Sequence, residues 1–114
     1  MDKLTEYPAL IRRILAEFVE LCNRRPDSEI ETFLIVDEAK AHYLWMNLGW
    51  QNGNRVMGMT VYVRICEGKF WIEEDWTEAG IATDLMRACV PKEDIVLAFH
   101  PPEMRPYTDF AIAS

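Results

Sequence analysis

The sequence is short of several things, and each shortage closes a class of function. Its 114 residues hold no apolar run near the ~20 residues of a membrane span. Met1-Asp2-Lys3-Leu4 does not open a signal peptide, so the expectation is a soluble, cytoplasmic protein without membrane contact. Positive charge is scarce: twelve Lys and Arg stand against nineteen Asp and Glu, for a net charge of −7. Autonomous binding to DNA or anionic lipid depends on a cationic surface, and this balance argues against both. The five glycines stand singly at 49, 53, 58, 68 and 80, so there is no phosphate-binding loop. Cys22, Cys66 and Cys89 are widely spaced and form no Cys-x-x-Cys pair, which reads as reduced thiols and neither a disulfide frame nor a zinc site. His42 and His100 are the only histidines, and no nucleophile motif accompanies them. The expectation is a non-enzymatic protein with no cofactor and no metal.

What is present belongs to a folded domain, 50% hydrophobic and 27% charged. A chain of 13.3 kDa should expose roughly 6,500 Å² of ~19,000 Å² unfolded, enough burial for one core and not two. No repeat, low-complexity tract or linker divides it, so residues 1–114 read as a single α+β domain.

The first segment carries Leu4, Tyr7, Ile11, Ile14, Leu15, Phe18, Leu21 and Cys22 at three- and four-residue spacing, the stripe of one long amphipathic helix. Pro8 is tolerated if the helix proper starts there, with Tyr7 outside or in a frayed turn. About four strands of an antiparallel meander follow, over 29–37, 42–50, 55–66 and 69–73. The turn signals Gln51-Asn52-Gly53-Asn54 and Glu67-Gly68 join the later ones. Gly58, inside the cleanest alternation, points to a bulge or a close backbone approach. In the second strand Leu44, Met46, Leu48 and Trp50 oppose Tyr43, Trp45 and Asn47, so either both faces are covered or an aromatic patch is exposed. A sheet face exposing Trp45 and Tyr62 would permit a homodimer. A short second helix begins after Trp76, with Thr77 as N-cap and Glu78 in its first turn. It ends before Pro91. Ile95 to Phe99 is a fifth strand or an apolar anchor. The tail from His100 to Tyr107 carries too many prolines for a helix or a central strand, and 108–113 is apolar enough to dock.

Acidity gathers at Glu73, Glu74, Asp75 and Glu78. No calcium-loop pattern surrounds this cluster, which reads as a solvated face unless a cationic partner docks there. With His100, Arg105 and Tyr107 of the irregular tail, these residues are the candidate partner contacts. No residue is a candidate for catalysis or for binding a cofactor or metal.

Three stretches carry a family resemblance: Phe70-Trp71-Ile72-Glu73-Glu74-Asp75-Trp76-Thr77-Glu78-Ala79-Gly80-Ile81-Ala82, then Val90 to His100, then Arg105-Pro106-Tyr107-Thr108-Asp109-Phe110-Ala111. With Tyr43, Gly49-Trp50 and Arg55-Val56, they closely resemble the XisI family, the fdxN element excision controlling factors of cyanobacteria. Two positions depart from the pattern. Trp76 stands where many members have glycine in Asp-Gly-Thr-Glu, and Cys89 stands where many have glycine before Val-Pro. The second departure weakens a helix C-cap, because cysteine accepts a left-handed backbone less readily than glycine.

The resemblance implies an accessory factor in a programmed DNA rearrangement, in which a separate site-specific recombinase excises an element during heterocyst differentiation. It also implies a partner, an XisH-like protein that resembles a restriction-endonuclease fold, and it supplies no catalytic residues. The leading expectation is therefore a controlling factor acting through protein partners. The alternative is an acidic, antitoxin-like inhibitor of the nuclease-fold partner. Direct DNA binding would have to use Arg12, Arg13, Arg24 and Arg25 on the first helix, among Glu17 and Glu20.

Overall fold

The computed structural model describes residues 3–25, 28–107 and 110–111, the side chains of 106 and 107 excepted. A 21-residue helix, α1 (Lys3–Asn23), precedes strands β1 (Ile30–Asp37), β2 (His42–Gln51), β3 (Asn54–Cys66) and β4 (Lys69–Asp75). Helix α2 (Ile81–Arg87) then crosses to β5 (Ile95–Leu97), and a 3₁₀ turn covers Pro102–Tyr107. The sheet runs in sequence order, β1 to β4 antiparallel and β5 parallel to β4.

Local chemistry accounts for the meander. Gln51 pairs with Asn54 around Asn52 (φ 51°) and Gly53 (φ 79°), and Cys66 pairs with Lys69 around Glu67 (φ 54°) and Gly68 (φ 74°). Both are two-residue turns with positive φ at each central position, the form that matches strand twist. Helix α1 lays Tyr7, Ile11, Ile14 and Leu15 into the core. They meet Tyr43, Trp45, Val61, Val63, Phe70 and Ile72 from the sheet, and Ile81 and Leu85 from α2.

Several expectations change here. The helix begins at Lys3, so Tyr7 is neither outside nor frayed but almost wholly buried. Pro8 falls early enough to forfeit only one intrahelical bond. Leu4 and Leu21 lie off the buried stripe and are exposed. Trp45 faces inward, stacked on Phe18 at 5.5 Å, so it cannot share an exposed face with Tyr62. The irregularity in β3 falls opposite Trp45/Met46, beyond Gly58, and a Cβ at Gly58 would meet nothing within 4 Å. The proline-bearing tail does form a helical turn, a short 3₁₀ one with Pro102 at its start, where no amide is required.

The other face of the sheet, carrying Phe33, Ile35, Leu44, Met46, Met57 and Met59, is not covered over β1–β3 by any described element; Ile35 is 44% and Met57 71% exposed. The chain accordingly exposes 7324 Å², more than the ~6,500 Å² its mass implies. At the β4–β5 end the tail adds to the sheet edge, where Ala111 bridges to Val96, and to the core, against which Phe110 packs. Of the segment 108–113 expected to dock, residues 108–109 and 112–113 lie outside the described residues.

Helix α2 ends as the sequence implied, though the residue is strained. Val90 N–H donates to Leu85 and Cys89 N–H to Met86, a complete Schellman cap with Cys89 left-handed at φ 70°. A side chain in that region costs about 1 kcal/mol relative to glycine. Cys89→Gly is expected to stabilise the protein by about 1 kcal/mol and raise its Tm by roughly 4 °C, read by thermal unfolding.

Candidate functional site

The acidic cluster straddles the end of β4 and the loop into α2. Asp75 is its organising residue. Its Oδ1 accepts from the Thr77 amide (2.9 Å) and the Thr77 hydroxyl (2.6 Å), and its Oδ2 accepts from the Ile81 amide at the start of α2 (2.7 Å). The helix is thus capped from six residues upstream. The Thr77 hydroxyl, expected as N-cap, instead accepts from the Gly80 amide at 3.2 Å, and Glu78 precedes the first turn of α2.

The remaining carboxylates differ in availability. Glu73 Oε2 accepts from Arg64 Nε at 2.8 Å, both side chains being about one-third exposed. That bond, first of its causes, raises the Arg64 pKa above its ordinary value. Glu74 Oε1 accepts from the Trp76 indole at 2.9 Å, and Glu78 is exposed. The solvated acidity is therefore Glu74 and Glu78, flanked by a half-neutralised Glu73.

The parallel pairing of β4 with β5 brings one feature to this loop that no local pattern announced. Ala98 N–H donates to Ile72 C=O at 2.9 Å, which delivers Phe99 beside the cluster. Glu73, Glu74, Asp75, Trp76 and Phe99 line one open depression of about 460 Å³. Trp76 is 74% and Phe99 47% exposed, and the His100 ring packs on Phe99 with centroids 4.6 Å apart. Two exposed aromatics ringed by carboxylates suit a partner that offers basic and apolar side chains together.

Arg105, expected among the contacts, is turned inward and 6% exposed. Its Nε donates to His100 C=O at 3.1 Å, and its guanidinium lies 5.9 Å from the Trp71 ring centroid, which Arg64 also approaches at 4.9 Å. It therefore positions the segment bearing Phe99 and His100. Tyr107 ends the 3₁₀ turn, and its side chain lies outside the described residues.

The other candidates are dispersed. His42 Nδ1 lies 2.6 Å from the Tyr62 hydroxyl, across the β2–β3 pair. On α1, Arg12 pairs with Glu38 at 2.7 Å and Arg24 with Glu20 at 3.2 Å, which reduces the charge that side of the helix could offer to phosphates. Among the described residues, no three His, Cys, Asp or Glu side chains are placed to hold a metal ion. No described helix is long and apolar enough to cross a membrane.

Comparison with known proteins places this architecture. No curated protein matches the sequence. Among solved structures, a XisI-like protein from Anabaena variabilis ATCC 29413 is 35% identical, with 96% of this chain and 99% of that one covered at a TM-score of 0.87. The fdxN element excision controlling factor XisI from the same organism is 42% identical over 98% of this chain and all of that one, at a TM-score of 0.84. The XisI protein family matches residues 1–112. By fold, sequence and extent, the chain belongs to the XisI family.

Proposed function

We propose that this chain is a non-enzymatic, cytoplasmic controlling factor for excision of a DNA element, acting through protein partners: an XisH-like protein foremost, and through it a site-specific recombinase. The observation that carries this reading is the near full-length likeness to a protein described as an fdxN element excision controlling factor. The depression of Trp76 and Phe99 among Glu73, Glu74 and Asp75 supports a partner-binding role. The net charge of −7 supports indirect action at DNA over direct contact.

The test is light scattering on a sizing column, with the protein alone and then mixed with an XisH-like partner. A stoichiometric complex that weakens with salt is expected. Glu74→Lys with Glu78→Lys should lower its affinity at least tenfold and Trp76→Ala about thirtyfold, the range of an aromatic anchor. Affinity unchanged in both variants would remove this site from the interface, and the absence of any complex would overturn the partner-based mechanism. Adding DNA then separates the second reading, an acidic antitoxin-like inhibitor. In that case the partner alone cleaves DNA and this chain suppresses cleavage at one-to-one ratio.

A further inference from the structure

The geometry points to a second interaction surface: the outer edge of β1, uncapped at Leu34 and Val36 by any described residue, pairs antiparallel with β1 of a second copy of this chain about a two-fold axis at Ile35. This edge is remote from the partner site, which lies beyond the opposite edge of the meander.

Edge strands expose unpaired amides and carbonyls, and proteins that stay monomeric protect them. Half of β1 is protected by side chains. Ser28 Oγ accepts from the Ile30 amide (3.2 Å) and donates to the Ile30 carbonyl (3.1 Å). The Asn23 amide at the end of α1 does the same for Thr32, donating to its carbonyl (2.7 Å) and accepting from its N–H (3.2 Å). Outward-pointing groups alternate along an antiparallel strand, so with Ile30 and Thr32 the set includes Leu34 and Val36. These two have no such cap among the described residues. No proline or lysine blunts the run Phe33-Leu34-Ile35-Val36. The neighbouring side of α1 presents Ala9 and Ala16, with Arg12 and Arg13, around a groove of about 370 Å³ at Leu34.

The protected half selects the register. Pairing Leu34 with its own copy would also require Thr32, which Asn23 already occupies. Pairing Leu34 with Val36 of the second copy, and the reverse, uses all the open groups and none of the capped ones. Ile35, 44% exposed on the uncovered sheet face, then meets its copy at the axis. This is a position without cross-strand hydrogen bonds, where side chains approach most closely. The same register sets Asp37 opposite Phe33, so within the strands no carboxylate stands directly opposite a carboxylate. The two apolar faces then join into one sheet surface. Because each copy carries −7, salt strengthens this contact by screening the repulsion between bodies, whereas it weakens the partner complex.

Sedimentation equilibrium on the full chain, over a wide dilution series and at two salt concentrations, tests the inference. The mass should rise from the 13.3 kDa of one chain toward twice that value, more readily in high salt. Amide exchange at Leu34 and Val36 should slow as concentration rises. Ile35→Lys, which sets two ammonium groups at the axis, should hold the protein at monomer mass with an unchanged circular dichroism spectrum. A monomer at every concentration would overturn the inference and leave the edge for a strand of another protein. A folded Ile35→Lys variant that still dimerises would equally overturn it. So would concentration-dependent protection that spares Leu34 and Val36, a readout made on the wild-type chain.

Discussion

Replacing Gly49 with alanine is expected to cost about 3 kcal/mol and to lower the Tm by roughly 12 °C. Gly49 lies on β2 opposite Ile30, where the chain returning from α1 enters β1. A Cβ there would stand 2.2 Å from the Glu29 carbonyl oxygen and 2.8 Å from the Ile30 Cα. Both are backbone atoms at the entry to a paired strand, so no rotamer change relieves the clash. The first residues of β1 must lift from β2, taking the Ser28 cap with them. The check is chemical unfolding with amide exchange, in which fast exchange should appear at Ile30 and Glu31 and spare β3. Gly49→Ala with native stability would mean that the strand entry shifts at no cost.

Asp94→Ala is expected to be about as damaging, at about 3 kcal/mol, because it strips a buried anchor of its acceptor. Asp94 Oδ2 accepts from the Tyr7 hydroxyl at 2.6 Å and pairs with Lys3 Nζ at 2.8 Å, its own side chain being 9% exposed. Desolvation pushes this carboxyl up, but the bonds from Lys3 and Tyr7 outweigh it and hold the pKa below the usual carboxylate range. A carboxyl with a depressed folded pKa contributes stability that is complete above its unfolded value, about 3.9, and lost as pH falls through the folded one. Tyr7 behaves oppositely. Burial first, and Asp94 second, raise its pKa far above the usual value of 10.0, so its contribution holds below about pH 10 and fades as pH rises beyond it. Denaturant titrations across pH should show both flanks, and in Asp94→Asn the acid flank should flatten. An unchanged acid flank would assign that titration to other carboxylates.

Much of this fold is legible residue by residue because its signals are local. The spacing of Tyr7, Ile11, Ile14 and Leu15 marks a helix face, and Asn52-Gly53 and Glu67-Gly68 mark turns, without reference to the rest of the chain. The inward face of β2 is different. Tyr43 and Trp45 compete with Leu44 and Met46 as equally apolar sets, and only the docking of Phe18 of α1 on Trp45 decides between them. The candidate site divides in the same way. Its charges stand in one stretch of sequence, but Phe99 joins them through a parallel strand pair that no adjacent turn foretells. Arg105 reads as a free cation in an irregular tail because the Trp71 ring beneath it lies more than thirty residues away in sequence. Asp75 reads as one more surface carboxylate, although its two oxygens hold three bonds that start α2.

The Tyr7–Asp94 bond joins residues 87 positions apart, and that separation bears on synthesis. The first turns of α1 leave the ribosome with their buried face made, while the acceptor that anchors them is still untranslated. At typical elongation rates of about 5–20 residues per second, roughly 5 to 20 seconds pass before Asp94 is added. Until then the Tyr7 hydroxyl lacks its acceptor, and the nascent strands can hold the helix only through apolar contacts such as Tyr7 on Phe70. A pause in translation before Asp94 would therefore prolong the stage in which α1 lacks its polar anchor, whereas a pause after residue 111 would fall when every described element has been made.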